Sequence, residues 1–310
     1  MKIMMYCMVL MSGLLCPHSA CLWAQAPDMR VDVHRGIPYA AAQPMARRRP
    51  QTLRFDLYRP AGDTCLRPLV IALFGGAFVL GRRDYPDMAR FCHRFAEQGY
   101  VAASIDYRLM PIRKVSNKNF LRSGYMGAQD LTEAIRYFKA HSRDYRIDTT
   151  RIYLLGNSAG SAIILHALFL DEHERPSETR LAPDLGQLPS DASISVAGAV
   201  ALWGCLFDPQ IIDDTESTPI CLVHGTRDRI VPYQSGNCFN MRRAIYVHGS
   251  AAIAERFDAL GKSTCELHSF VGERHAFYFD WLSIFHLNKT KFDACFDIAL
   301  SFFNRCGRKL

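Results

Sequence analysis

Short apolar runs alternate with longer stretches of helical periodicity through most of this chain. That rhythm predicts an α/β fold with a mostly parallel central sheet and helices on both faces. Residues 53–58 (Leu-Arg-Phe-Asp-Leu-Tyr) alternate apolar and polar, as a half-exposed antiparallel strand does. Residues 69–74, 100–105, 151–155, 194–202, 219–224 and 265–270 read as buried, mostly parallel strands. Helical patterns cover about 85–98, 125–141, 158–170 and 250–260, with a closing helix near 292–303. An early antiparallel hairpin followed by parallel units predicts one domain over 27–310. Few residues precede the first strand, which leaves little room for a cap. Two connections are longer than usual and read as binding loops: a basic one at 108–123 and a polar, proline-containing one at 171–193.

The first 26 residues have a different pattern. Met1-Lys2, an apolar stretch to Leu15 and an Ala24-Gln25-Ala26 end predict a cleavable signal peptide, and hence a secreted or periplasmic protein. A signal anchor is the alternative, but the stretch is short for a span and is interrupted by Pro17 and His18. The surroundings of Cys16 and Cys21 fit a lipid-attachment site poorly. No later segment reaches transmembrane length, so stable membrane insertion is not expected.

The formal charge of +7 is mild and forms no dense stripe, and Arg47-Arg48-Arg49 beside Pro50 reads as a solvated turn. Nucleic acid is therefore not an expected partner. Outside the leader lie Cys65, Cys92, Cys205, Cys221, Cys238, Cys265, Cys295 and Cys306. None forms a Cys-x-x-Cys pair, so no metal site is expected, and the sequence leaves any disulfide pairing open.

The chemistry centres on Gly156-Asn157-Ser158-Ala159-Gly160, placed between a strand pattern and a helix pattern. Such a turn puts a serine on a strained strand-to-helix corner, where only small neighbours fit. A serine hydroxyl needs a base and a group to orient that base. In doubly wound sheets, reactive groups gather beyond the carboxyl ends of strands. Asp228 follows the run ending in His224-Gly225-Thr226-Arg227, and His275 follows Gly272-Glu273-Arg274 after the last strand pattern. Ser158, Asp228 and His275 are thus the candidate catalytic residues. Asp208 is a weaker candidate acid, while His224, His268 and His166 read as packed or surface histidines. Phe74-Gly75-Gly76-Ala77-Phe78 follows another strand pattern, so the backbone N–H groups of Gly76, Ala77 and Ala159 are the expected oxyanion donors.

With these residues in place, the chain resembles the α/β-hydrolase superfamily, specifically its carboxylesterase and hormone-sensitive-lipase-like esterases, from about Arg54 to Phe303. Asp106-Tyr107-Arg108 is similar to the element that supports the oxyanion loop in that group. Two departures stand out: Phe74 and Ala77 replace the histidine and last glycine of a His-Gly-Gly-Gly loop, and Ser161 replaces a glycine often found after the elbow. The resemblance implies a serine carboxylesterase working without a cofactor through an acyl-enzyme. The missing cap suggests a shallow site for short acyl groups, such as acetyl or feruloyl esters on carbohydrate. The rival readings are a peptidase of the same fold and a non-catalytic binding module.

Overall fold

The computed structural model of the chain describes residues 29–45, 49–175, 177–179, 195–280 and 283–308. The leader at 1–26, Arg47 and Arg48, and most of the 171–193 connection lie outside the described residues. The strands and helices in chain order are β1 (Val31–Ala42), β2 (Gln51–Pro60), β3 (Arg67–Leu73), α1 (Pro86–Glu97), β4 (Val101–Ile105), α2 (Asn117–Ala140), α3 (Ser142–Tyr145), β5 (Ile147–Asn157) and α4 (Ala159–Phe169). Then come β6 (Gly198–Leu202), β7 (Cys205–Leu206), β8 (Ile220–Gly225), β9 (Ser235–Asn237), β10 (Tyr246–Gly249), α5 (Ser250–Ala259), β11 (Cys265–Phe270), β12 (Phe279–Asp280), β13 (Ser283–Leu287) and α6 (Lys289–Cys306).

Among the described residues, eight strands form one sheet in the order β1-β2-β4-β3-β5-β6-β8-β11. The pairs from β4 to β11 are parallel, whereas β1 and β2 join antiparallel. The β3, β4, β6 and β8 strands are almost wholly buried, which is why they read as unbroken apolar runs in the sequence.

Each helix explains its own position. In α1, Met88, Phe91, Cys92, Phe95 and Ala96 make one buried stripe, and Pro86 sits in the first turn, where its missing N–H costs nothing. The α4 helix is apolar nearly all round and buried over almost its whole length. α6 buries Phe292, Phe296, Phe302 and Phe303 and is capped by Asn288, whose side chain accepts from the Lys291 N–H at 3.1 Å.

The connection at 108–123, expected to be a loop, is partly helical. Ser116 caps α2 by accepting from the Asn119 N–H, and the helix begins at Asn117. Its first turn is polar and exposed, so no apolar period betrayed it. Lys118 and Arg122 therefore sit on a helix, with Arg113 and Lys114 on a short 3-10 turn. The strand expected from residue 194 is described from Gly198, and the 203–218 connection holds β7 and a 3-10 turn at Pro209–Ile211. A twelve-residue strand, β1, also precedes the first strand read from the sequence.

Among the described residues, no helix is long and apolar enough to cross a membrane. Cys92, Cys205, Cys221, Cys238, Cys265 and Cys295 carry free thiols.

Candidate active site

The site lies at the carboxyl ends of the central strands. β5 ends at Asn157, and Ser158 turns the chain into α4 with φ 51° and ψ −119°. This is a strained conformation for a residue with a side chain. Two backbone bonds hold it: the Ser158 N–H donates to Leu202 O at 2.9 Å, and the Ala162 N–H donates to Ser158 O at 3.0 Å. Gly160 has no room for a side chain, since a Cβ there would lie 2.3 Å from Leu73 O. The elbow helix can approach β3 only because that carbon is absent. Ser161 adds a support that the sequence did not announce. Its buried hydroxyl lies 2.6 Å from Gly156 O and 2.9 Å from Leu202 O, tying the turn to β6.

The three candidate catalytic side chains meet. The Ser158 hydroxyl lies 2.9 Å from His275 Nε2, so it donates to the unprotonated ring nitrogen. His275 Nδ1–H donates to Asp228 Oδ2 at 2.6 Å. The other oxygen, Asp228 Oδ1, accepts the backbone N–H groups of Ile230 at 2.8 Å and Val231 at 3.0 Å. Burial alone would raise the Asp228 carboxyl, but hydrogen bonds from His224 and His275 outweigh it and hold the group well below the usual carboxylate range. The acid is therefore a fixed anion next to an imidazole whose other nitrogen faces a hydroxyl. That arrangement can accept the serine proton as the hydroxyl attacks an acyl carbon, and return it to a leaving group.

The loop expected to hold the oxyanion lies beside the serine: a Cβ on Gly75 would sit 3.0 Å from Ser158 Cβ. Gly76, Ala77 and Phe78 have positive φ values of 125°, 53° and 59° in succession. The turn closes on itself, with the Val79 and Leu80 N–H groups donating to Gly76 O at 3.0 and 2.9 Å. Ala159, the third expected donor, is the first residue of α4.

The Asp106-Tyr107-Arg108 element braces this loop. Tyr107 stacks on Phe74 with centroids 4.4 Å apart, and its hydroxyl donates to Phe74 O at 2.8 Å. The Met110 N–H donates to Phe78 O at 2.7 Å. Arg108 is fully buried and donates through Nε to Asp130 at 2.8 Å, while its own backbone N–H reaches the same carboxylate at 2.7 Å. Asp106 receives Arg83 Nη1 at 3.0 Å.

Other candidates fall elsewhere. Asp208 caps the 3-10 turn after β7, accepting from the Gln210 N–H at 2.9 Å. His166 is buried in α4, where Nδ1–H donates to Ala162 O at 2.7 Å and Nε2 accepts the Phe207 N–H at 3.3 Å. Burial lowers it to about 4. His268 lies on the edge strand β11, 3.6 Å from Glu266. His224 is packed, as read, but it also touches the acid: Nε2 lies 3.1 Å from Asp228 Oδ2.

Three further groups near the site carried no sequence signal. Trp203, fully buried after β6, packs edge-on to His275 at 6.2 Å and to Tyr278 at 4.8 Å. Behind the nucleophile, Asn157 Nδ2 donates to Asp87 at 2.6 Å, and the Tyr278 hydroxyl donates to Asp87 at 2.9 Å. A cleft of about 670 Å³ runs along the loop, lined by Phe74, Val79, Leu80, Met110, Ile112 and Arg113. Cys221, Glu266 and His268 bring possible metal-ligating atoms within 4.8 Å of one another, but Arg305 already pairs with Glu266 at 2.6 Å.

Comparison with known proteins agrees with this fold. A family model described as BD-FAE matches residues 55–208. A probable isoprenylcysteine alpha-carbonyl methylesterase from Oryza sativa subsp. japonica is 32% identical over 130 residues, covering 41% of this chain and 28% of its own. Gut esterase 1 of Caenorhabditis briggsae is 24% identical over 164 residues, covering 53% of this chain and 27% of its own. The chain thus spans less than a third of the length of these two relatives. Among solved structures, Thermogutta terrifontis esterase 2 phosphoramylated by tabun superposes with a TM-score of 0.60 at 20% identity, over 89% of this chain and 95% of that one. The strand order, the serine elbow and these matches together give the chain the α/β-hydrolase fold, and its matching region is similar to carboxylesterase-type proteins of that fold.

Proposed function

We propose that the protein is a serine carboxylesterase. The observation that carries this reading is the unbroken hydrogen-bonded line from Ser158 Oγ through His275 to Asp228. In the proposed reaction, Ser158 attacks the ester carbonyl while His275 takes the hydroxyl proton. The backbone N–H groups of Gly76, Ala77 and Ala159 receive the developing oxyanion. His275 then protonates the leaving alcohol, and water, deprotonated by the same ring, releases the acid and frees Ser158. Asp228 stays ionised throughout and stabilises the imidazolium.

Substrate choice follows from the mouth of the site. Among the described residues, the additions to the main sheet are 3-10 turns, a three-stranded sheet (β7-β10-β9) and the β12–β13 hairpin, not a helical cap. This favours an open site for short acyl groups, with acetyl or feruloyl esters on carbohydrate as the leading class. Arg113, which lines the cleft along the loop, and its chain neighbour Lys114 are exposed and would favour an acidic glycan. The leader pattern supports export and cleavage after Ala26, which the amino-terminal sequence of the protein from its native host tests directly.

The test is turnover of short-chain nitrophenyl esters, acetylated xylan, feruloyl esters and triglycerides by the wild type and S158A. The proposal expects hydrolysis of short-chain esters that S158A abolishes. A preference for long-chain triglycerides would overturn the shallow-site reading. Cleavage of peptide amides without ester hydrolysis would favour a peptidase, and an inert serine would favour a binding module.

A further inference from the structure

The Asp228 carboxylate is held by more than the catalytic ring. Oδ1 takes two backbone N–H groups, and Oδ2 takes His275 Nδ1–H. Oδ2 also faces a second imidazole, that of His224 at the end of β8, at 3.1 Å. His224 is fully buried. Its protonation pattern can be read from its neighbours. Nε2 lies 3.1 Å from Val231 O, which can only accept, so Nε2 carries a hydrogen that it shares between Val231 O and Asp228 Oδ2. Nδ1 lies 2.8 Å from Ser250 Oγ and takes the hydroxyl hydrogen in the neutral ring. Ser250, at the start of α5, thereby fixes the tautomer that points a donor at the acid.

We propose that His224 is a positioning residue that acts through Asp228: it locks the carboxylate and takes a share of its negative charge, which sets how strongly His275 holds its proton. The inference rests on the serine-esterase reading and extends its line to Ser250–His224–Asp228–His275–Ser158. A histidine serving only as packing would need no partner on the acid loop. Here both acceptors of Nε2–H belong to that loop, and its remaining partner orients the ring toward it. Four donors then meet one carboxylate, about as many as its lone pairs accommodate.

The Tyr233 ring meets His224 edge-on at 5.7 Å, and its hydroxyl pairs with Ser269 Oγ. The Cys205 and Cys238 thiols lie near enough to Asp228 to feel its charge, and burial pushes the Cys238 thiol up to about 12, so it stays neutral near pH 7. Among these described groups, Asp228 is the fixed anion, and His224 and His275 are the two imidazoles that face it.

Removing the His224 donor leaves Oδ1 clamped by two amides, so the carboxylate stays in place with its charge concentrated on His275. In H224F, the His275 titration midpoint, read from its ring-proton resonances, and the acid limb of kcat/KM should both rise. The expected shift is roughly 0.5–1 pH unit, a three- to tenfold change in the proton equilibrium. H224Q, whose side-chain amide can donate to Oδ2 but cannot titrate, should return both toward wild type. S250A should move both upward by less. An unmoved or lowered midpoint in folded H224F overturns the inference. If H224F does not fold, the same measurements on S250A decide it: a rise supports the inference and no change overturns it. Because the resonance titration needs no substrate, the two readings separate. A wild-type Ser158 that never reacts with esters or fluorophosphonates, alongside the expected His275 shift, would defeat the esterase reading alone.

Discussion

Gly76→Ala probes the proposed oxyanion loop with the smallest possible change. Gly76 has φ 125°, a region that L residues rarely occupy, and its Cβ would lie 2.1 Å from Leu80 O and 2.7 Å from Leu80 C. The obstacle is backbone, so no side chain can rotate away. That backbone is also pinned, because the Leu80 N–H donates to Gly76 O at 2.9 Å. The turn must open to admit the methyl group, carrying the N–H groups of residues 76 and 77 away from Ser158.

Strain of this kind costs about 1–3 kcal/mol, which a domain stable by about 5–15 kcal/mol survives. The larger expected effect is on catalysis, because a misplaced oxyanion donor costs about 10²- to 10³-fold in kcat. Urea unfolding measures the first quantity and steady-state hydrolysis of nitrophenyl butyrate the second. Gly62→Ala is the control: Gly62 has φ 70°, nothing lies within 4 Å of its Cβ, and it sits in the β2–β3 turn. It should lose about 1–2 kcal/mol of stability with turnover unchanged. A folded G76A enzyme with kcat within about threefold of wild type would refute the placement of the donors.

Further outcomes are expected from the same geometry. Tyr107→Phe keeps the stack on Phe74 but strips its buried carbonyl of a partner, and should cost about 1–3 kcal/mol in urea unfolding, with a partial loss of turnover. His166 falls from its ordinary 6.5 to about 4 because burial disfavours the charged ring, and its Nε2 must stay free to accept the Phe207 N–H. The unfolded chain therefore binds the extra proton, and stability should drop as pH falls from 6.5 toward 4, by on the order of 3 kcal/mol from this group. H166Q should flatten that part of the stability–pH curve, and an unchanged slope would count against it. Asp228→Asn removes the charge that steadies the imidazolium and should lower kcat by about 10³- to 10⁴-fold while Ser158 Oγ and the fold remain; near-normal turnover would contradict the role given to Asp228.

The sequence disclosed the site where chemistry and local geometry make the same demand. Gly156 and Gly160 leave no room for a side chain around the strained Ser158, and the turn lies between a buried strand and a nearly apolar helix. Asp228 and His275 were legible because parallel strands deliver their following loops to one edge of the sheet. The Asp-Tyr-Arg element was recognisable by resemblance, but its bonds to Phe74 and Asp130 join residues far apart in the chain, so no local pattern could show them. His224 illustrates the limit most clearly: an apolar strand ending in histidine looks like packing, and only the fold of the 226–231 loop reveals its second partner. β1 escaped for another reason. It is an edge strand, largely exposed, with register shifts between His34 and Ile37 and between Pro38 and Ala40, and little apolar alternation to read. The first turn of α2 is polar and was likewise silent apart from its Ser116 cap.

The central claim is that Ser158 is a primed nucleophile, and covalent labelling tests it without knowledge of the natural substrate. The wild-type protein is treated with a fluorophosphonate at neutral pH, and the adduct is located by mass spectrometry of its peptides. One adduct per chain, on Ser158, formed far more slowly in His275→Ala, is the result expected. An unlabelled Ser158 in the folded wild-type protein, or labelling that proceeds equally well without His275, would contradict the account.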